Sequence, residues 1–446
     1  MENRKVSDAR YAAYKVLYAV QTEGAYVNLA LADVLSAMRM QPTDKSLAGA
    51  LAYGCVKYSI YLDYIIGKFS SVKLKKLSPN VLVLLRIGVF QIMKLDRVPD
   101  SAAVDECVRL AGKLAYRSKG FINGVLRSIV REKANIKLPE KNEERLSVQY
   151  SFPLALTKHF ISLYGPVRAE KIMAAFCEAP EMHVRVNTLK ASVQEVRDAL
   201  CAEGVAVSEG AFDDALILSG TDITALEVYK EGLITAQGAG SMTAVRALDA
   251  KKGMCILDMC AAPGGKSVYI AQRTGDECTL HAFDIHLHKI QLIEQTARRM
   301  GIKSIHATNA DATVFMEQHK EKADCVLVDA PCSGLGIIGK KPDIKYVWSP
   351  EKEEELAALQ LEILNTSKQY VKHGGTLVYS TCTIGTRENM GVLETFLKEN
   401  PEFSLCDITD ALPNGVSGED AAKGYIQLLP DTDGTDGFFV SKMKRK

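Results

Sequence analysis

Two cysteines occupy matching places in the sequence. "VLVDAPCSGLG" (326–336) sets Cys332 just past a short apolar run, and "LVYSTCTI" (377–384) does the same for Cys382. Short apolar runs bounded by Gly, Pro, Ser or Thr read as buried strands, so each thiol falls where a strand ends and a loop begins. A thiolate is the nucleophilic form of cysteine, so two thiols so placed raise the question of covalent catalysis, which their placement alone leaves open. Isolated cysteines more often serve as small buried apolar residues. Cys55, Cys107, Cys177, Cys201, Cys278, Cys325 and Cys406 are read that way. The eleven cysteines contain no CxxC pair, which argues against a metal site and against a disulfide framework.

A second chemical stretch, "ILDMCAAPGGKS" (256–267), is a strand, a Gly/Pro turn and a helix start. It is not a P-loop, because the position six before Lys266 is Cys260 where glycine is required. GxGxxG is absent as well. What remains is a loop whose glycines, Gly264 and Gly265, let the backbone come close to a ligand. Asp284 ends the next strand, "HAFD", where an acid accepts hydrogen bonds from ribose hydroxyls. Asp311, in "TNAD", is placed to hold an adenine amino group, and Asp329 ends the strand before Cys332. A nucleoside cofactor without a pyrophosphate is the inference. Its candidate contacts are Cys260, Ala261, Ala262, Pro263, Gly264, Gly265, Lys266, Asp284, Asp311 and Asp329.

The elements that must position these residues follow from the pattern along the chain. Residues 1–132 read as helices: "DARYAAYKVLYAVQ" places Tyr11, Tyr14, Leu17 and Tyr18 at helical spacing, and Ser78-Pro79 is a helix start. The polar stretch "REKANIKLPEKNEERLS" (131–147) reads as a linker. Two short helices follow, then "MHVRVNTL", a helix ending at Gly204 and two strands in "VAVSEGAFDDALILSG", which make a small α+β module. From about residue 250 strands and helices alternate, which predicts a doubly wound parallel sheet with ligands at the carboxyl ends of its strands. The expected fold is multi-domain. It comprises an all-α domain (1–140), linker helices with a small α+β module (141–240), and a Rossmann-like α/β domain (241–446).

Charge is divided unevenly along the chain. The net charge is +1, yet residues 1–140 carry ten more basic than acidic side chains, and a basic domain suits a polyanion such as nucleic acid. Arg117, Lys119, Arg127 and Arg131 are candidates for phosphate contact, and a solvated face accounts for them equally. Arg185 and Asn187 stand open between RNA contact and structural bonding. So does the basic stretch "GIIGKKPDIKYVW" (336–348), between strand contact and a surface loop packed by Trp348. The longest apolar run, 81–93, is interrupted by Arg86 and is too short to span a bilayer. No secretory signal opens the chain, so a reducing cytoplasm is expected.

Taken together, "DMCAAPGGKS", "DAPCSGLG" and "YSTCT" resemble the S-adenosylmethionine-dependent RNA cytosine carbon-5 methyltransferases. The resemblance extends along the chain: the helical third is similar to the NusB antitermination-factor fold, and "GYIQLLP…DGFFVSKM" (424–443) also looks like that family. It implies an all-α NusB-like RNA-binding domain, a methyltransferase domain, S-adenosyl-L-methionine as cofactor and no metal. The implied substrate is a cytosine of 16S ribosomal RNA, met as naked RNA or an early assembly intermediate by a monomeric enzyme. By the same resemblance to the RNA enzymes Cys382 is the nucleophile, Cys332 assists breakdown of the adduct, Asp329 bonds the cytosine edge, and Lys266 positions that carboxylate or the base; in DNA cytosine methyltransferases the "PC" cysteine, here Cys332, is the nucleophile instead. Transfer RNA as substrate and a non-catalytic antitermination factor are the rival readings.

Overall fold

The computed structural model describes residues 8–446, and the chain divides into two compact units. One unit is the N-terminal part to Cys177 together with Lys340–Val347; the other holds Glu178–Gly339 and Trp348–Lys446.

The first unit is all helical. Its main elements are α1 (Asp8–Glu23), α2 (Val27–Ala37), α3 (Pro42–Lys57), α4 (Ser59–Phe69), α5 (Pro79–Lys94), α6 (Asp100–Leu114) and α7 (Lys119–Glu132). α5 is buried on nearly every side, through Val83, Leu84, Leu85, Ile87 and Val89, and so forms the centre around which the amphipathic helices pack. Tyr14 and Leu17 enter this core and Tyr11 and Tyr18 pack against it, which makes the tyrosine stripe structural. The 131–147 stretch is more ordered than a linker. α7 runs to Glu132, and Asn142–Gln149 is a helix because Leu146 and Val148 have apolar partners to bury against. The helix Leu154–Cys177 breaks at Gly165, whose φ of +73° interrupts it just before Pro166.

The segment Lys340–Val347 belongs to this helical unit. Lys345, from the stretch considered for RNA contact, is only 1% exposed. Its Nζ donates to the Lys57 carbonyl at 2.6 Å and lies 4.7 Å from the Phe152 ring centroid. Tyr346 beside it donates its hydroxyl to the Val56 carbonyl at 2.8 Å.

In the second unit, β1 (Met182–Val186), β2 (Ala206–Glu209), β3 (Ala215–Ser219) and β4 (Ile234–Ala236) form an antiparallel sheet in the order β2-β3-β1-β4. The helix Val193–Ala202 packs on it and opens with a capping box between Ser192 and Glu195. Arg185 and Asn187 are fully buried, which removes the RNA-contact reading for both. The Arg185 Nε donates to Gln237 Oε1 at 2.5 Å, and the guanidinium stacks 4.5 Å over Tyr269. Asn187 Nδ2 donates to the carbonyls of Gly232 and Met300 at 3.0 and 2.8 Å. These two side chains join the small sheet to the helices Gly265–Arg273 and Leu287–Met300.

The larger sheet contains β5 (Cys255–Asp258), β6 (Thr279–Asp284), β7 (Ile305–Asn309), β8 (Ala323–Asp329), β9 (Val371–Thr381), β10 (Phe403–Leu405), β11 (Tyr425–Leu428) and β12 (Phe438–Arg445). β7-β6-β5-β8-β9 run parallel. Alternate residues serve opposite faces. Ile256, Leu327 and Val378 pack with the helix Ala239–Leu248, whereas Leu257, Val326 and Leu377 pack with Pro350–Ser367 and Val392–Glu399. The sheet departs from the all-parallel expectation at one edge. There β12 pairs antiparallel with β9, and β10 and β11 pair antiparallel with β12. The run Phe438–Val440 is buried and completes the core, and the short outer strands cover its remaining edge.

Burial holds the Lys345 ammonium down to about 7, with Lys57 adding to the effect. The unfolded lysine keeps its proton up to about 10.5, so between about pH 10 and pH 7 only the unfolded state carries this proton. The helical unit therefore loses roughly 1.4 kcal/mol per pH unit from this group over that window, and nothing further below it. Lys345→Met retains the apolar stem and removes the titration. Its melting temperature should exceed the parent's at pH 7, with the gap closing towards pH 10. Thermal unfolding followed by circular dichroism at both pH values checks this, and an equal gap at both contradicts it.

Candidate active site

The order β7-β6-β5-β8-β9 brings the chemistry-bearing residues to the carboxyl edge of one sheet. Asp311 follows β7, while Asp284, Asp258 and Asp329 are the last residues of β6, β5 and β8; Cys382 follows β9. Parallel strands end at the same side, so residues far apart in sequence become neighbours there.

The loop after β5 begins as a continuation of the ladder on both sides. Met259 N donates to Leu327 O at 2.9 Å and Ala261 N to Phe283 O at 2.8 Å. Gly264 then turns the chain with φ +99°, and a Cβ there would lie 3.1 Å from the Ile293 Cα. A Cβ on Gly265 would meet nothing within 4 Å, so the first turn of the helix Gly265–Arg273 opens onto space, with its amides available to a ligand. The Cys260 thiol is pushed well up by burial and then by the Asp258, Asp329 and Asp284 carboxylates, so it remains protonated.

Sequence reading did not single out Asp258. It is fully buried; its Oδ2 accepts from Ser267 Oγ at 2.6 Å, and its Oδ1 has no partner. Burial raises this carboxyl to about 7 against the Ser267 bond, and Asp329 adds to the rise. The available signal was its position, one more acid closing an apolar run. Asp284 accepts from the His286 amide at 3.0 Å, and Asp311 accepts from the Thr313 amide and hydroxyl at 2.9 and 2.7 Å. Each of those bonds engages a single carboxylate oxygen, Oδ1.

Lys266 Nζ donates to Asp329 Oδ2 at 2.5 Å, and Ser380 Oγ on β9 donates to Asp329 Oδ1 at 2.7 Å. Burial works against the Lys266 charge, yet Asp329, with smaller help from Cys382, raises its pKa overall. The Cys332 and Cys382 sulfurs lie 3.4 Å apart. Cys332 is driven well up, first by its hydrogen bond to Cys382, then by burial and by the negative charge of Cys382, Glu388 and Asp329. Either sulfur can be the donor in that contact.

The remaining candidates are dispersed. Arg117, Lys119, Arg127 and Arg131 are exposed on α7 and the turn before it, beside an exposed Tyr116. Trp348 donates its Nε1 to Glu353 at 3.2 Å. Of the cysteines read as buried, Cys55, Cys107 and Cys325 are; Cys177, Cys278 and Cys406 are half-buried; and Cys201 is exposed, because it lies on the outer face of its helix.

A helical domain, a small antiparallel module and a Rossmann-like sheet with a glycine loop and strand-end acids define a methyltransferase of multi-domain type. Family models agree along the chain: the NusB family matches residues 7–131, the RsmF/B-like ferredoxin-like domain 152–224, and the 16S rRNA methyltransferase RsmB/F family 245–444. The chain belongs to the RsmB/F methyltransferase family. It is 38% identical to the probable ribosomal RNA small subunit methyltransferase B of Bacillus subtilis, over 99% of this chain and 100% of that one. Among solved structures, PH0851 superposes with a TM-score of 0.82 at 26% identity, covering 98% of this chain and 99% of that one. A methyltransferase homologue from Pyrococcus horikoshii gives 0.60 at 28%, covering 69% and 100%.

The Cys332 loop is anchored at its far end by Gly336, whose amide donates to the Cys382 carbonyl at 3.0 Å and whose carbonyl accepts from Gly437 N at 2.8 Å. A Cβ on Gly336 would lie 1.9 Å from the Gly437 oxygen, so Gly336→Ala must displace the loop. A displacement of about 1 Å costs on the order of 100-fold in rate. Methyl-transfer assays should show a loss of that order with a lowered melting temperature, and wild-type activity in this variant contradicts the close packing.

Proposed function

We propose that this chain methylates carbon-5 of one cytosine in 16S ribosomal RNA with S-adenosyl-L-methionine, through a covalent cysteine adduct at carbon-6. The observation that carries the reading is the 3.4 Å approach of Cys332 and Cys382 beside the Lys266–Asp329 pair. A cytosine carbon-5 is a poor nucleophile, and a paired thiol and thiolate are what activating it and then releasing it require.

The residues present fit the cofactor. The loop 260–265 with its open glycine face, Asp284 for ribose hydroxyls and Asp311 for the adenine edge would hold the nucleoside. The unpartnered Asp258 Oδ1 supports an amino group as its missing donor. When bound, S-adenosylmethionine supplies an electrophilic methyl group.

In this reading Cys332 keeps its proton and Cys382 attacks as the thiolate, the two sulfurs being close enough for a hydrogen bond between them. Cys382 adds to carbon-6; the S–C6 bond forms, and the C5=C6 electron pair moves so that carbon-5 becomes nucleophilic. Asp329 hydrogen-bonds the cytosine edge as the ring takes up this density, and Lys266 holds that carboxylate in place. Once carbon-5 carries both a methyl group and its hydrogen, a base must remove the proton so that the C5=C6 bond re-forms and the Cys382 sulfur leaves. Cys332 is that base. While Cys382 is anionic it holds the Cys332 proton on; once Cys382 is a thioether that hold is gone. Cys332 can then lose its proton to water and accept the one from carbon-5. The two thiols thus act in a fixed order.

The target base must leave its stack to reach the thiols. The basic domain (1–140) and the middle part (141–240) are proposed to grip the RNA in the cytoplasm, with Arg117, Lys119, Arg127 and Arg131 as phosphate contacts. The B. subtilis relative, named for the small-subunit ribosomal RNA, supports that RNA as the substrate.

A denaturing gel of protein, cofactor and naked 16S RNA tests the roles. Cys332→Ala should accumulate a covalent RNA–protein band and Cys382→Ala should abolish it; the opposite pattern reverses the assignment. Calorimetry with S-adenosylmethionine tests the cofactor site separately. Asp258→Asn should weaken binding by about 10-fold to 100-fold, the value of one hydrogen bond between charged groups. Unaltered affinity removes Asp258 from that site.

A further inference from the structure

Glu388 is a fully buried carboxylate that neither the cofactor reading nor the thiol chemistry uses. It sits in the π-helical turn Arg387–Gly391, six residues beyond Cys382, and such turns often place side chains at functional sites. Its Oε2 accepts from the Ser333 amide at 2.8 Å and from Gln360 Nε2 at 2.9 Å, and its Oε1 accepts from the Ser333 hydroxyl. Ser333 directly follows Cys332. The Ser333 hydroxyl also lies 2.8 Å from the Thr383 hydroxyl, and Thr383 directly follows Cys382.

Two further bonds brace the carboxylate. Gln360 Nε2 also donates to the Pro331 carbonyl at 2.9 Å, so both neighbours of Cys332 are tied to one cluster. Tyr379 on β9 donates to Gln360 Oε1 at 3.0 Å and to the Glu388 carbonyl at 2.5 Å. The next residue, Asn389, secures the other loop independently. Its Nδ2 donates to the Thr383 carbonyl at 3.1 Å, and its Oδ1 accepts from Thr381 Oγ1 at 2.6 Å. Cys382 is therefore held by Asn389 and by the end of β9, whereas the start of the Cys332 loop is braced by Glu388 through Ser333, ahead of the Gly336 anchor at its far end.

We propose that Glu388 is a positioning residue that fixes the Cys332 loop against the Cys382 loop, so that losing its carboxylate stalls the reaction at the covalent adduct. This rests on the two-thiol reading above. Burying a carboxylate costs several kcal/mol unless its lone pairs are met, and here they are met chiefly by the loop it fixes. Burial raises its pKa and the Ser333 and Gln360 bonds oppose the rise, as expected for a buried acceptor supplied with donors. Glutamine is a poorer brace: it loses the carboxylate's charge, and with its one acceptor oxygen towards the Ser333 and Gln360 N–H groups its amide nitrogen faces the Ser333 hydroxyl, which must turn round to accept.

The test uses the full-length protein with naked 16S RNA and S-adenosylmethionine, comparing wild type, Glu388→Gln, Ser333→Ala, Cys332→Ala and Cys382→Ala. Turnover, the fraction of RNA in covalent adduct, and KM for the cofactor are measured, with melting temperature recorded for each variant. Glu388→Gln should lower kcat by about 100-fold, raise the adduct fraction towards that of Cys332→Ala and leave the cofactor KM unaltered. Ser333→Ala, which removes one hydroxyl, should raise the adduct fraction less and keep the melting temperature, so it decides the matter if Glu388→Gln does not fold. A wild-type adduct fraction in both, or loss of adduct in both, overturns the assignment of Glu388 while Cys332→Ala still traps. If Cys332→Ala traps nothing and Cys382→Ala still methylates, the two-thiol reading itself fails.

Discussion

The Lys266–Asp329 pair is the contact on which the rest of the site depends. It joins the helix that follows the glycine loop to the end of β8, and Ser380 extends it to β9. Both charged groups are largely withdrawn from water, with side chains 13% and 25% exposed. Removing one partner of such a pair strands the other, typically at about 3–5 kcal/mol. Three strand ends are thereby held in one arrangement, and Cys382 follows the strand that carries Ser380. The glycine loop and the thiol pair cannot shift independently.

The sheet supplies this arrangement cheaply. β5 lies between β6 and β8, so the glycine loop has the Asp284 strand on one side and the Asp329 strand on the other. The acids need no long loops to converge, because parallel strands end together. The antiparallel β12 closes the β9 edge, and through Gly437 it meets the loop that begins at Cys332. A strand that completes the core thus also fixes the Cys332 loop.

Much of this was legible in the sequence, for identifiable reasons. β5 to β9 were visible as apolar runs bounded by turn residues, and the thiols and acids at their ends came with them. The antiparallel edge was not, since periodicity gives no pairing direction and β10 has three residues. Polar composition left the reading open in three places. Arg185, Asn187 and Lys345 suit nucleic-acid contact or structural bonding equally in the sequence, and all three are buried, because their partners come from segments distant in sequence. Asp258 and Glu388 escaped notice for the complementary reason: an acid in an apolar or helical stretch looks ordinary until its neighbours are known. Exposed basic residues on α7 remain where the sequence placed them.

The central claim is that Cys382 bonds to carbon-6 of the cytosine while Cys332 removes the carbon-5 proton. RNA carrying 5-fluorocytidine tests it most directly, because fluorine at carbon-5 cannot leave as a proton does and the adduct should persist. Digestion and mass spectrometry of the trapped protein would then locate the nucleotide. It should lie on the peptide containing Cys382, dependent on S-adenosylmethionine for the methylated form. A nucleotide on the Cys332 peptide, or methyl transfer to another atom with no adduct at all, contradicts it.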